Sequence, residues 1–149
     1  MILYCDTSAL IKLYVEETHS GVVAKAIADA DAIATSLLAY PETRATLARA
    51  QRDKRLRPSD FRQAFAQFQQ DWSSYMVLDT HQALMLHAGE LAERHALRGA
   101  DAIHLASAIQ LAHDLQTSSA SMAFLAFDVP LTRAAAREHL PIHALSPKA

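Results

Sequence analysis

The sequence predicts an α/β protein, with a largely parallel sheet covered by helices on both faces. Three observations carry this. Short runs of apolar residues with strand length recur at 1–5, 31–35, 75–78 and 122–127. Segments with apolar residues at helical spacing separate them through short connections, and β-α alternation of this kind builds parallel sheets. The first and fourth runs lack the alternation of a strand with one wet face, so they suit strands buried on both faces.

Bulk properties agree with one ordinary domain over residues 1–149. A chain of this length buries roughly 68–70% of its unfolded surface and needs no covalent staple. Apolar residues make up 51% and charged residues 20%, which suits a compact soluble protein. Cys5 is the only cysteine, so no disulfide forms within the chain, in keeping with a reducing, cytoplasmic setting. The N-terminus has no basic leader, and no run approaches the ~18 apolar residues of a membrane span. The net charge of -2 does not by itself advertise a nucleic-acid binder.

The first strand stops at Asp6. Thr7 and Ser8 offer an N-cap to a helix reaching about Val15, after which Glu16 to Gly21 form a polar break. Val22, Val23, Ala26 and Ile27 continue at helical spacing, and Asp31 to Thr35 read as the second strand. A long helix follows towards Arg52. Pro41 is tolerated only near its start, which places that start near Leu37 or Leu38 and Glu42 early in the helix. Ser59 or Asp60 caps the next helix, where Phe61, Phe65, Phe68 and Trp72 form one apolar stripe. Tyr75 to Leu78 form the third strand, and Asp79 or Thr80 caps a helix ending at His95. Asp101 opens a further helix. Met122 to Phe127 make the fourth strand, ending at Asp128. Leu131 to His139 are the last helix, and Ile142 to Leu145 an edge strand. No repeat, low-complexity tract or linker interrupts the series.

Four acids stand out by position. Asp6 and Asp128 each end a buried strand and open a helix, so both belong to the carboxyl edge of the sheet, where ligands of open α/β sheets bind. Glu42 lies early in the helix after the second strand. Asp101 opens the helix leading into the fourth. With strands one and four as neighbours, all four face one crevice. Singly, Asp101 suits an N-cap, Asp128 a turn and Glu42 a wet helix face. Together, four carboxylates repel unless some stay protonated or a cation intervenes. Mg²⁺ and Mn²⁺ favour such oxygen ligands and leave room for phosphate, the requirement of a metal-dependent phosphodiesterase.

The blocks Asp6-Thr7-Ser8-Ala9-Leu10, Pro41-Glu42, Asp101 to Ala108 (reading DAIHLASA) and Phe127-Asp128 with Leu131 resemble the signature of PIN-domain ribonucleases. The likeness is strongest to the VapC toxins of bacterial toxin–antitoxin pairs and spans essentially the whole chain. It implies a three-layer α/β/α PIN-like domain with about five parallel strands in the order 3-2-1-4-5. It further implies that Asp6, Glu42 and Asp101 bind Mg²⁺ or Mn²⁺, with Asp128 as a fourth acid acting through water or a second metal. Thr7 or Ser8 then supports Asp6 or a water. The implied activity is endonucleolytic cleavage of single-stranded or structured RNA (tRNA, rRNA or mRNA), leaving a 5′-phosphate. The implied partners are a VapB-like antitoxin and a second copy of the chain. One departure stands at Ala126, where related sequences often carry Thr or Ser.

Arg44, Arg49, Arg52, Lys54, Arg55 and Arg57 crowd one helix end and its exit turn. They suit either a solvated face or, for Arg49 to Arg57, contact with an RNA backbone. The aromatic stripe suits the core, and by the resemblance also an interface with the antitoxin or a second copy. Among eight histidines no zinc motif appears. His104, three residues after Asp101, suits a structural role or an approach to the acids. Two rival readings remain. An aspartyl phosphotransferase using Asp6 needs a second Asp at the position of Ser8. A non-catalytic PIN-fold module has no need of four intact acids.

Overall fold

The computed structural model describes residues 1–148. Strands β1 (Ile2–Cys5), β2 (Ala32–Ser36), β3 (Met76–Leu78) and β4 (Met122–Leu125) form one parallel sheet in the order β3-β2-β1-β4. Tyr4 sits beside Ala34 on one side and Phe124 on the other, so β1 is central, and all four of its residues are buried. The helices are α1 (Thr7–Leu10), α2 (Ser20–Ala28), α3 (Ala39–Arg52), α4 (Pro58–Trp72), α5 (Gln82–His95), α6 (Gly99–Asp114) and α7 (Val129–Arg137). Short 3-10 turns follow α1 and α6, at Ile11–Leu13 and Leu115–Thr117.

Alternation along β1 explains the three layers. Ile2 and Tyr4 pack with Phe124 against α5, α6 and α7, through Leu91, Leu105 and Leu131. Leu3 and Cys5 face the other way, onto Leu10, Val23 and Ala39 of α1, α2 and α3. A third cluster joins α3 to α4, with Leu47, Ala50 and Phe68 at its centre. The aromatic stripe is divided by this arrangement. Phe68 is fully buried, while Phe61, Phe65 and Trp72 are only half-buried.

The expected fifth strand is reduced to one parallel bridge between Ile142 and Phe124. It lies beside β4, as the 3-2-1-4-5 order requires. It ends there because the chain turns away, with the Leu145 N–H bound to His143 Nδ1 and the Ser146 N–H to the His143 carbonyl.

Several helix starts differ from expectation by a few residues. Asp6 itself caps α1, accepting the Ala9 N–H at 3.0 Å, because Thr7 and Ser8 already have helical geometry. Pro58 opens α4, leaving Asp60 in its first turn to pair with Arg57. His81 caps α5 through Nδ1, while Asp79 binds the Thr80 N–H beside it. α6 begins at Gly99, which puts Asp101 in its first turn with the side chain free for another partner. β4 ends at Leu125, three residues before Asp128, and α7 spans Val129–Arg137.

Candidate active site

Pairing of β1 with β4 brings the carboxyl ends of both strands together, and the four acids follow from it. Asp6 leaves β1 and Asp128 caps α7 just beyond β4, accepting the Leu131 N–H at 2.9 Å. Glu42 stands in the first turn of α3, and Asp101 in the first turn of α6. All four line one cleft of about 240 Å³, together with Thr7, Ser8, Arg98, His104 and Phe127.

Asp6 is the buried member, 4% exposed. Ser8 Oγ donates to its carboxylate, 2.7 and 2.8 Å from the two oxygens. The same Ser8 oxygen accepts the Phe127 N–H at 2.8 Å, tying the end of β1 to the loop after β4. Ala126 is buried without a hydroxyl of its own, and Ser8 supplies one to this loop instead. Burial pushes the Asp6 carboxyl above its ordinary value, against the charge of His104 and the hydrogen bonds from Ser8 and Ala9. No ion pair offsets it among the described residues.

Glu42 is held differently. Thr7 Oγ1 donates to Glu42 Oε1 at 2.6 Å, and His104 Nε2 approaches the same oxygen at 2.8 Å. On its other side, His104 Nδ1 lies 3.2 Å from the buried Tyr4 hydroxyl. His104 thus faces Glu42 through Nε2 and Tyr4 through Nδ1. Burial raises the Glu42 carboxyl, yet the hydrogen bonds from His104 and Thr7, with the charges of His104 and Arg98, outweigh it and hold the group below its ordinary value.

Asp101 is bound by Arg98 three residues earlier, at 2.7 Å from Nε and 3.3 Å from Nη2. Arg98 Nη2 also stands 3.9 Å from Asp128 Oδ2. One guanidinium therefore bridges two of the four acids at the cleft.

With Asp101 turned to Arg98 and Glu42 to Thr7 and His104, no three His, Cys, Asp or Glu side chains converge at metal-holding distance among the described residues. The donor chemistry nevertheless fits a small, hard cation. Four carboxylates and two hydroxyls face the cleft, and the buried Asp6 makes no ion pair among the described residues. Asp101 would hold such an ion only in competition with Arg98.

The basic turn after α3 lies apart from the cleft lining but connects to it. Arg55 pairs with Glu17 at 3.7 Å, Glu17 with Lys12 at 3.2 Å, and Lys12 Nζ lies 4.6 Å from the centre of the Phe127 ring. Arg57 is engaged by Asp60. Arg49, Arg52 and Lys54 are exposed. Sequence reasoning missed Arg98, Tyr4 and Phe127 as parts of this site. Only Arg98 carried a readable signal, its i,i+3 spacing to Asp101.

Comparison with known proteins agrees with this fold. The PIN domain family model matches residues 3–118, a segment containing Asp6, Glu42 and Asp101 and stopping short of Asp128. Ribonuclease VapC45 and ribonuclease VapC49, from two strains of Mycobacterium tuberculosis, are each 42% identical to this chain over 108 residues, 72% of this chain and 75% of theirs. A crystal structure of VapBC2 from Rickettsia felis, bound to a DNA fragment from their promoter, aligns with a TM-score of 0.63 at 14% identity. That alignment covers 96% of this chain and 98% of the other, and at this identity it speaks for the fold. A four-stranded parallel sheet in the order 3-2-1-4, a family match across most of its length and relatives of this similarity together make this chain a PIN-domain protein of the VapC ribonuclease family.

Proposed function

We propose that this chain is the toxin of a toxin–antitoxin pair, a divalent-metal-dependent endoribonuclease acting on single-stranded or structured RNA. One observation carries the reading: acids from four separate segments meet around one cleft, and the buried one, Asp6, makes no ion pair among the described residues. Burying an ionised carboxylate is costly unless it is paired or binds a metal. Asp6 and Asp101 would hold Mg²⁺ or Mn²⁺ directly, Glu42 would complete the set, and Asp128 would act through water or a second ion. The bound ion supplies Lewis acidity and charge neutralisation for phosphodiester hydrolysis. Ser8 fixes the Asp6 carboxylate. Thr7 and His104 fix Glu42, so that its orientation is set before RNA arrives. Hydrolysis adds water across the P–O3′ bond and leaves a 5′-phosphate and a 3′-hydroxyl.

The exposed cations Arg49, Arg52 and Lys54 favour the RNA backbone through counterion release, with Arg55 and Arg57 beside them partly engaged by acids. An apolar hollow of about 420 Å³, between Leu37, Tyr40, Trp72, Met85 and Ile103, suits an apolar helix face of an antitoxin or a second copy of the chain. No helix among the described residues is long and apolar enough to cross a membrane, and the site of action proposed is the cytoplasm.

The test is cleavage of RNA by wild type in Mg²⁺ or Mn²⁺, with and without EDTA, beside Asp6→Asn and Asp101→Asn. Cleavage that needs the ion and is lost in both variants supports the reading. Full activity in EDTA ends the metal assignment, and full activity of both variants ends the site.

A further inference from the structure

The rim of the cleft carries an aromatic pair that the acid cluster does not use. The imidazole of His19 stacks on the Phe127 ring, with centroids 5.6 Å apart and planes 22° from parallel. Phe127 lines the cleft, and its N–H is anchored to Ser8, which also holds Asp6, so the ring is in register with the buried acid. His19 is exposed. Its backbone is left-handed, at φ 74°, a conformation costly for a side chain with a Cβ.

The loop is built to keep His19 there. Lys12, only 10% exposed in its side chain, binds the Thr18 carbonyl at 3.0 Å and Glu17 at 3.2 Å while its ammonium lies over Phe127. Ser20 Oγ accepts the Glu17 N–H at 3.0 Å, and the Val23 N–H closes back on the His19 carbonyl. These bonds hold a strained residue with its ring against the rim of the cleft, where nothing in the core requires it. The Arg55 pair with Glu17 runs from this loop to the basic turn.

Proteins that bind unpaired nucleic acid combine a basic path for the backbone with aromatic faces on which bases stack. We propose that an unpaired RNA base beside the scissile phosphate stacks on the exposed face of His19, extending the His19–Phe127 pair, while the strand continues towards Arg55, Lys54 and Arg52. The proposal rests on the ribonuclease reading above and adds the recognised feature: a flipped or single-stranded base rather than a duplex.

The experiment uses full-length Asp101→Asn protein and short single-stranded RNAs with 2-aminopurine placed at successive positions, reading fluorescence quenching and affinity. One position is expected to be strongly quenched. His19→Asn keeps a residue tolerant of the left-handed backbone but removes the stacking ring. Both it and Phe127→Leu are expected to lose the quench and weaken binding about tenfold, the scale of one base stacked on an aromatic ring. Phe127→Tyr, which keeps the ring, is expected to bind as the parent does. An RNA abasic at the quenched position is expected to bind the parent and His19→Asn equally. Unchanged quenching and affinity in His19→Asn and Phe127→Leu overturn the base stacking alone. Failure of the parent to bind any of the RNAs, with no cleavage by wild type, overturns the base stacking and the ribonuclease reading together.

Discussion

Arg98 grips Asp101 through two nitrogens and reaches towards Asp128 with one of them, so a side chain from the same helix start stands where a cation would neutralise both acids. Under the proposed metal-dependent reading, the pair would compete with the ion. Arg98 is 78% exposed in its side chain, and exposed pairs contribute at most ~1 kcal/mol. Arg98→Gln is therefore expected to tighten Mn²⁺ binding by about fivefold, the equivalent of that energy, in calorimetric titration of the protein without RNA. Unchanged or weaker binding would show that Arg98 does not oppose the ion.

Asp6 and Glu42 carry opposite pH dependences in the metal-free protein. Burial raises the Asp6 pKa, so its contribution to stability is fully present below the ordinary carboxylate value of 3.8 and is lost as pH rises through the raised one. Asp6→Asn is expected to abolish that loss and to be the more stable protein at pH 7 in EDTA. Glu42 is depressed, so its contribution is present above 4.5 and is lost as pH falls through the lower folded value. Urea unfolding from pH 3 to pH 7 for wild type, Asp6→Asn and Glu42→Gln checks both signs. A wild type that gains on Asp6→Asn as pH rises would contradict the first.

His104 connects the buried Tyr4 hydroxyl to Glu42. His104→Leu leaves both without that partner and is expected to cost about 2 kcal/mol, within the range for orphaned buried polar groups. At this chain length that lowers Tm by about 4–8 °C. His104→Gln, which can still donate to Glu42, is expected to recover part of the loss. Equal Tm values for the two variants would assign His104 to packing alone.

Phe68 and Phe61 lie on one helix face but in different surroundings. Phe68 is fully buried between α3 and α4, and Phe68→Ala is expected to cost about 3–5 kcal/mol in urea unfolding. Half-buried Phe61, stacked on Phe65, is expected to cost less than about half of that when truncated. Similar costs at both positions would place the whole stripe in the core and leave none for an interface.

Salt dependence tests the basic turn. Arg52 and Lys54 make no ion pair among the described residues, unlike Arg55 and Arg57. Replacing both by Ala is expected to reduce the slope of log affinity against log salt for single-stranded RNA by about 1.4, that is about 0.7 for each phosphate no longer neutralised. An unchanged slope would remove the turn from the RNA path.

What the sequence disclosed depended on how local the cause was. β1, β2 and β4 were legible because an apolar run bounded by an acid needs only nearest neighbours to be read. Asp6 and Asp128 could be matched because each stands in the same relation to its strand. The helix starts shifted because competing signals lay side by side: Asp6 capped α1 ahead of Thr7 and Ser8, and Pro58, as the first residue of α4, started that helix ahead of Ser59 and Asp60. Pairings between distant segments left no trace in composition or periodicity. Tyr4 meets His104 across 100 positions, and Ser8 meets Phe127 across 119. Ala126 read as a missing hydroxyl, but Ser8 delivers one from the opposite end of the chain. Ser8 also stands where an aspartyl phosphotransferase needs its second acid, and its engagement by Asp6 and Phe127 leaves that rival without a proton donor there.

The fourth strand of the sheet in chain order pairs beside the first. A chain released before Met122 keeps β1 exposed along one whole edge, with the backbone donors and acceptors of an apolar, doubly covered strand left open to any other extended segment. It also lacks Phe127 and Asp128. A chain interrupted there is therefore a sticky, aggregation-prone fragment with an incomplete cleft, and the site is whole only once translation has passed Asp128.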